Sequence, residues 1–105
     1  MADMSKSNLE KELNSYIRKE WRKLSFNHID NLEGISELGL KLVNEYEGMG
    51  LYPFEGDIAF KLNTKNGYIT DYYYIEGKVY IEESDKFPML KINDNISTRK
   101  KYTFI

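Results

Sequence analysis

After Pro53 the apolar residues of this chain change their spacing, and no single type of secondary structure satisfies both halves. Before it, Leu9, Leu13, Tyr16, Ile17, Trp21 and Leu24 recur at helical intervals, as do Leu32, Ile35, Leu38, Leu42, Val43 and Tyr46. An interval near 3.6 gathers such residues on one stripe of an α-helix. Beyond Pro53, Ile58, Phe60 and Leu62 alternate with Asp57, Ala59 and Lys61, the two-residue period of a strand with one buried face. The expected fold is α+β, with two N-terminal antiparallel helices packed on one face of a four- to five-stranded antiparallel sheet.

Local signals set the boundaries. Ser7 with Glu10, and Asp30 with Glu33, have the spacing of capping boxes, and Gly48 and Gly50 supply a helix stop. Helices are expected over about 8–24 and 32–47, with Gly39 marking a close crossing. Strands are expected over about 57–62, 68–75, 78–83, 89–92 and 100–105. A chain of 105 residues has room for one core, so residues 1–105 are read as a single domain.

The hydrophobic pattern also suggests a register. A tight turn at Asn66-Gly67 would set Leu62 against Asp71 and mix core with charge. A loop from Asn63 to Gly67 instead opposes Leu62 with Tyr68, Phe60 with Thr70 and Ile58 with Tyr72, which keeps one face apolar. Glu76-Gly77 reads as a second hairpin loop, pairing Tyr73 with Tyr80 and Asp71 with Glu82. In this register Tyr72, Tyr74, Val79 and Ile81 lie beneath the helices. Ile69, Asp71, Tyr73, Ile75, Tyr80 and Glu82 occupy the open face. Leu90 and Ile92 point inward, and the apolar end KYTFI is tied into the sheet.

The formal net charge of −2 is unevenly placed: residues 25–60 carry one lysine against seven acids, while the segments on either side are each +2. Such a chain lacks the basic excess of a dedicated nucleic-acid binder, and its acidic middle suits a basic partner. Tyr73 and Tyr80 could stack bases with Lys61, Lys78, Arg99, Lys100 and Lys101 on phosphates, but Asp71 and Glu82 beside them would repel a phosphate backbone.

Catalytic constellations are sparse. There is no cysteine and only His28, so thiolate, zinc and histidine-relay chemistry lack their usual members. Asp57 with the spacing Glu76-Gly77-Lys78 loosely resembles the Asp and Glu-x-Lys arrangement of PD-(D/E)xK nucleases. That resemblance implies carboxylates holding a divalent metal and a lysine assisting water attack. It covers a few positions and departs in context, because the family's Glu-x-Lys belongs on a strand and Glu76 is read here in a turn. No enzymatic activity, cofactor or metal is therefore expected. The same holds for a membrane span, since no apolar run approaches 18 residues, and the absence of a secretory leader pattern makes the cytoplasm the expected compartment.

The function expected is a small protein-binding module, a stoichiometric inhibitor of the immunity-protein, antitoxin or phage-inhibitor type that occludes a basic target surface. Tyr73 and Tyr80 would be its aromatic anchors, flanked by Ile69, Ile75, Asp71 and Glu82, with Glu45, Glu47, Glu55 and Asp57 as a second acidic region. Self-association of the open sheet face as a homodimer is the structural alternative.

Overall fold

A computed structural model describes residues 6–24, 26, 28–43, 51–82, 89–92 and 96–104. Helix α1 spans Lys6–Glu20 and closes with a 3₁₀ turn at Trp21–Lys23. The helical stripe holds: Leu9, Leu13 and Ile17 are buried, with Tyr16, Trp21 and Leu24 packed around them. Ser7 lies inside the first turn and not ahead of it, so the expected capping box is replaced by a different use of Glu10, described below. No helix among the described residues is long and apolar enough to cross a membrane.

The expected second helix is a strand. The remaining elements are β1 (Leu32–Leu42), β2 (Leu51–Thr64), β3 (Gly67–Glu82), β4 (Met89–Ile92) and β5 (Ser97–Phe104), every pairing antiparallel. The helical spacing of Leu32, Ile35 and Leu38 comes from two β-bulges. Their partners Leu62, Phe60 and Ile58 are two residues apart, and β1 absorbs one extra residue at Glu33 and another at Ser36. Each bulge adds a residue without turning the next side chain to the other face, so a three-residue interval keeps all three on the core side. Asn31, with φ 60, makes the left-handed entry into β1 where a helix cap was expected at Asp30.

The strand order is β1-β2-β3-β4, with β5 following β4 along the same edge of β3. β2 and β3 are far longer than expected, and the molecule's 49 Å long axis is close to the span of β3's 16 residues at about 3.3 Å each. Glu76-Gly77 is not a turn. Residues 51–55 of β2 pair with 76–80, so Gly77 runs through the strand opposite Phe54.

The β2–β3 loop contains only Lys65 and Asn66, because Thr64 pairs with Gly67. Thr64 fixes it, donating its hydroxyl to the Gly67 carbonyl at 2.7 Å and accepting the Asn66 N–H at 3.2 Å, while Gly67 takes φ 109. The register is consequently one residue away from the expected one: Leu62 pairs with Ile69, Phe60 with Asp71 and Ile58 with Tyr73. The core gathers Leu40, Leu42, Phe54, Ile58, Phe60, Leu62, Ile75, Val79 and Ile81 against α1 and the linker residues Phe26 and Ile29. Leu90 and Ile92 pack against it as expected.

Helix α1 also covers the free edge of β1. The Asn14 amide accepts the Leu40 N–H at 2.9 Å and donates to the Leu40 carbonyl at 3.1 Å, as a neighbouring strand would, and Glu10 accepts the Leu42 N–H at 2.9 Å. We expect Asn14→Ala to lower stability in urea denaturation by about 1–3 kcal/mol, since it orphans a part-buried donor and acceptor together. Asn14→Asp keeps the acceptor but turns a carboxylate oxygen toward the Glu10 and Leu40 carbonyls that now accept from the amide, so it should not recover the loss.

At Gly56 a Cβ would stand 2.0 Å from the Gly39 carbonyl oxygen, whereas at Gly39 it would meet nothing within 4 Å. Gly56→Ala should therefore cost about 3 kcal/mol or more, and Gly39→Ala less than about 0.5 kcal/mol, in the same measurement.

Candidate binding surface

With the register shifted, odd-numbered residues of β3 face the core. Tyr73 packs edge-on against Phe60, ring centroids 5.4 Å apart at 71°, and Phe60 meets Phe26 in the same way at 5.1 Å. Ile75 is buried and Ile69 packs against the core. Asp71, only 6 % exposed, accepts a hydrogen bond from the Thr103 hydroxyl and lies 3.6 Å from the Lys100 ammonium. The strand phase that placed Ile69, Asp71, Tyr73 and Ile75 on an open face is thus overturned, because β5 supplies partners for a carboxylate on the core side.

The open face carries the even-numbered residues of β3 with their neighbours. Tyr72 stacks on Tyr102, centroids 4.6 Å apart at 19°. Lys61 sits 4.0 Å over the Tyr68 ring, and Tyr74 has Arg99 at 5.0 Å and Lys101 at 4.5 Å. Exposure is high for large rings: 59 % for Tyr68, 46 % for Tyr74, 53 % for Tyr102 and 65 % for Phe104. Ala59, between Glu37 and Tyr72 in register, is buried on this same face.

Of the other expected site residues, Tyr80 is half-buried on the open face, opposite Leu51 and not Tyr73. Glu55 and Asp57 lie on it, exposed. The backbone of Glu82 ends β3 beside Met89, while Glu45 and Glu47 fall outside the described residues. Tyr68, Tyr74, Tyr102 and Phe104 escaped the sequence reading, which set the first two inward and left the phase of the last strand open. Their signal was present: Ile69, Tyr73, Ile75, Val79 and Ile81 hold one unbroken two-residue phase once no turn is placed at Glu76-Gly77.

Beside Tyr74 the face sinks into a groove of about 530 Å³ lined by Gly39, Lys41, Glu55, Gly56, Asp57, Tyr74, Ile75, Glu76, Ser97 and Arg99. Glu55 and Glu76 are directly opposed, and Lys41 is opposite Glu55 on its other side. Asp57 accepts a hydrogen bond from the Lys101 ammonium at 2.9 Å. Strand placement of Glu76 and Lys78 removes the contextual departure from the nuclease arrangement. Nevertheless, Asp57 is tied to Lys101, and among the described residues no three His, Asp or Glu side chains are placed to hold a metal. His28 shares a 2.9 Å hydrogen bond with the Thr98 hydroxyl at the start of β5.

No protein-family model, curated protein or solved structure matches the chain.

Burial raises the Tyr72 hydroxyl above its ordinary value, helped by Glu37 and Tyr102, and burial raises Tyr73, helped by Asp71. The hydrogen bond to Asp57 raises Lys101. All three shifts have the same sign for stability: the protonated form is favoured in the fold. Their contribution is complete below the ordinary tyrosine and lysine range near pH 10 and is lost as pH rises through the elevated values. Tyrosinate absorbance should therefore show a late-ionising fraction, reduced in Tyr72→Phe. Urea denaturation of this variant should show a smaller loss of stability between about pH 8 and pH 11.

Proposed function

We propose that the protein is a non-catalytic binding module that docks another protein on the open face of its sheet, acting by one-to-one occlusion as stoichiometric inhibitors do. The observation that carries this reading is the row of exposed rings Tyr68, Tyr74, Tyr102 and Phe104 opposite the helical layer. Tyr with neighbouring Arg is the residue chemistry of interface hot spots, because a rigid amphipathic ring supplies contact area at little entropic cost. Charge on this face is mixed: Lys61, Arg99 and Lys101 alternate with Glu37, Glu55, Asp57 and Glu76. A partner of mixed polarity therefore replaces the uniformly basic target expected while Asp71 was assigned to this surface.

Base stacking by a nucleic acid fits less well. Tyr72 and Tyr102 stack on each other, and Tyr68 and Tyr74 lie beneath cations, so a base would have to displace an existing contact. The four carboxylates would repel phosphates along the same path.

The test is binding to a defined partner. Immobilised wild-type chain should retain a protein at one-to-one stoichiometry, with affinity falling about 30-fold or more in Tyr74→Ala/Tyr102→Ala and unchanged in Lys11→Ala on the exposed side of α1. Loss in both variants alike, or no stoichiometric partner, would reject the reading. Light scattering that shows a dimer dissociated by the tyrosine variant would favour self-association. Calorimetry with Mg²⁺ or Mn²⁺ is expected to show no tight site; heat lost on Asp57→Asn and Glu76→Gln would support the metal-nuclease alternative.

A further inference from the structure

We propose that the groove beside Tyr74 is the anchor pocket of this surface and takes an arginine side chain from the partner, its guanidinium lying between Glu55 and Glu76. The inference rests on the protein-binding reading and specifies the chemistry of the partner's contact.

Shape comes first. Gly39 and Gly56 form part of the groove's lining, and a Cβ on Gly39 would meet nothing within 4 Å, so space stands open there between charged walls. Apolar lining from the two glycines and the Tyr74 ring suits the methylene stem of a long cation, which covers apolar surface while its head keeps polar partners.

Charge placement comes second. Asp57 and Lys101 pair with each other, and Arg99 lies over Tyr74. Lys41 faces Glu55 across one strand pair, but across the other Glu55 faces Glu76, whose remaining neighbour in register is the Ser97 hydroxyl. Two carboxylates directly opposed across antiparallel strands repel one another. A guanidinium placed between them reverses that interaction, and its planar fork matches two carboxylates where a lysine ammonium offers only a point charge.

The third observation is the ring. Arg99 at 5.0 Å and Lys101 at 4.5 Å already occupy the Tyr74 ring, so the incoming guanidinium belongs at the Glu55 and Glu76 end of the groove, with the ring serving as a side wall. Lys41 and Arg99 also line the groove, so the preference for a cation is confined to the end where Glu55 and Glu76 face each other.

The probe is a capped Gly-Gly-Arg-Gly-Gly peptide titrated into the ¹⁵N-labelled full chain, beside the same peptide with citrulline, which has the shape of arginine without its charge. The expected result is saturable shifts of the Gly39, Gly56, Glu76 and Ser97 amides, at least about tenfold weaker with citrulline. Glu76→Gln should weaken binding, Lys41→Met should strengthen it by removing the competing ammonium, and Gly39→Phe should abolish it by filling the groove with amide dispersion retained. Equal response to both peptides, shifts spread evenly over exposed acids such as Glu12 and Glu33, or binding that survives Gly39→Phe would overturn the proposal. The two readings fail separately. Partner binding lost in Tyr74→Ala/Tyr102→Ala but intact in Glu76→Gln and Gly39→Phe rejects the anchor and keeps the face; groove-specific arginine binding without any stoichiometric protein partner does the reverse.

Discussion

Phe60 stands opposite Asp71 in the β2–β3 pairing, and that register decides which side of the sheet every residue of β3 faces. It brings a carboxylate into the core layer, where an unpaired charge would be strongly disfavoured. The arrangement holds because β5 lies along the next edge, with Thr103 donating to one oxygen and Lys100 near the other. Tyr73 then packs edge-on against Phe60, which in turn meets Phe26 of the linker, and Tyr72 and Tyr74 are sent to the opposite face. The aromatic surface is thus a consequence of how one buried acid is satisfied.

Both edges of the sheet are blunted. β1 is covered by α1, whose Asn14 and Glu10 side chains take the place of an adjoining strand. β5 carries an extra residue at Lys101 where its pairing shifts between Tyr72 and Tyr73, together with Arg99 and Lys100. A bulge and a run of charges on an edge both discourage another strand from adding to it. Association through backbone pairing is therefore disfavoured along these stretches of β1 and β5. The same bulges twist their strands locally.

On that face, aromatic and charged groups are already organised by one another. Lysines and an arginine lie over tyrosine rings, and Lys101 bridges Tyr74 to Asp57. Such contacts hold long side chains in place, which would lower the ordering cost of the docking proposed for this face. Glu55 and Glu76, by contrast, are held opposite one another at the groove, where like charges repel.

Some features were legible from residues alone. The stripe of Leu9, Leu13 and Ile17 needs only helical geometry, and the alternation of Ile58, Phe60 and Leu62 needs only a pleated strand, so α1 and the middle of β2 follow from local spacing. The short strand Met89–Ile92 likewise follows from its residues and the Pro88 before it. Other features depended on partners distant in the chain. Leu32, Ile35 and Leu38 mimic a helix because bulges opposite β2 absorb Glu33 and Ser36, and only the pairing itself distinguishes the two. Asp71 reads as a surface residue until Thr103 and Lys100, some thirty residues later, are brought beside it. Local periodicity determines which residues want burial; tertiary pairing decides which face is available to bury them, because hydrogen-bond satisfaction of a single polar group can outweigh the pattern around it.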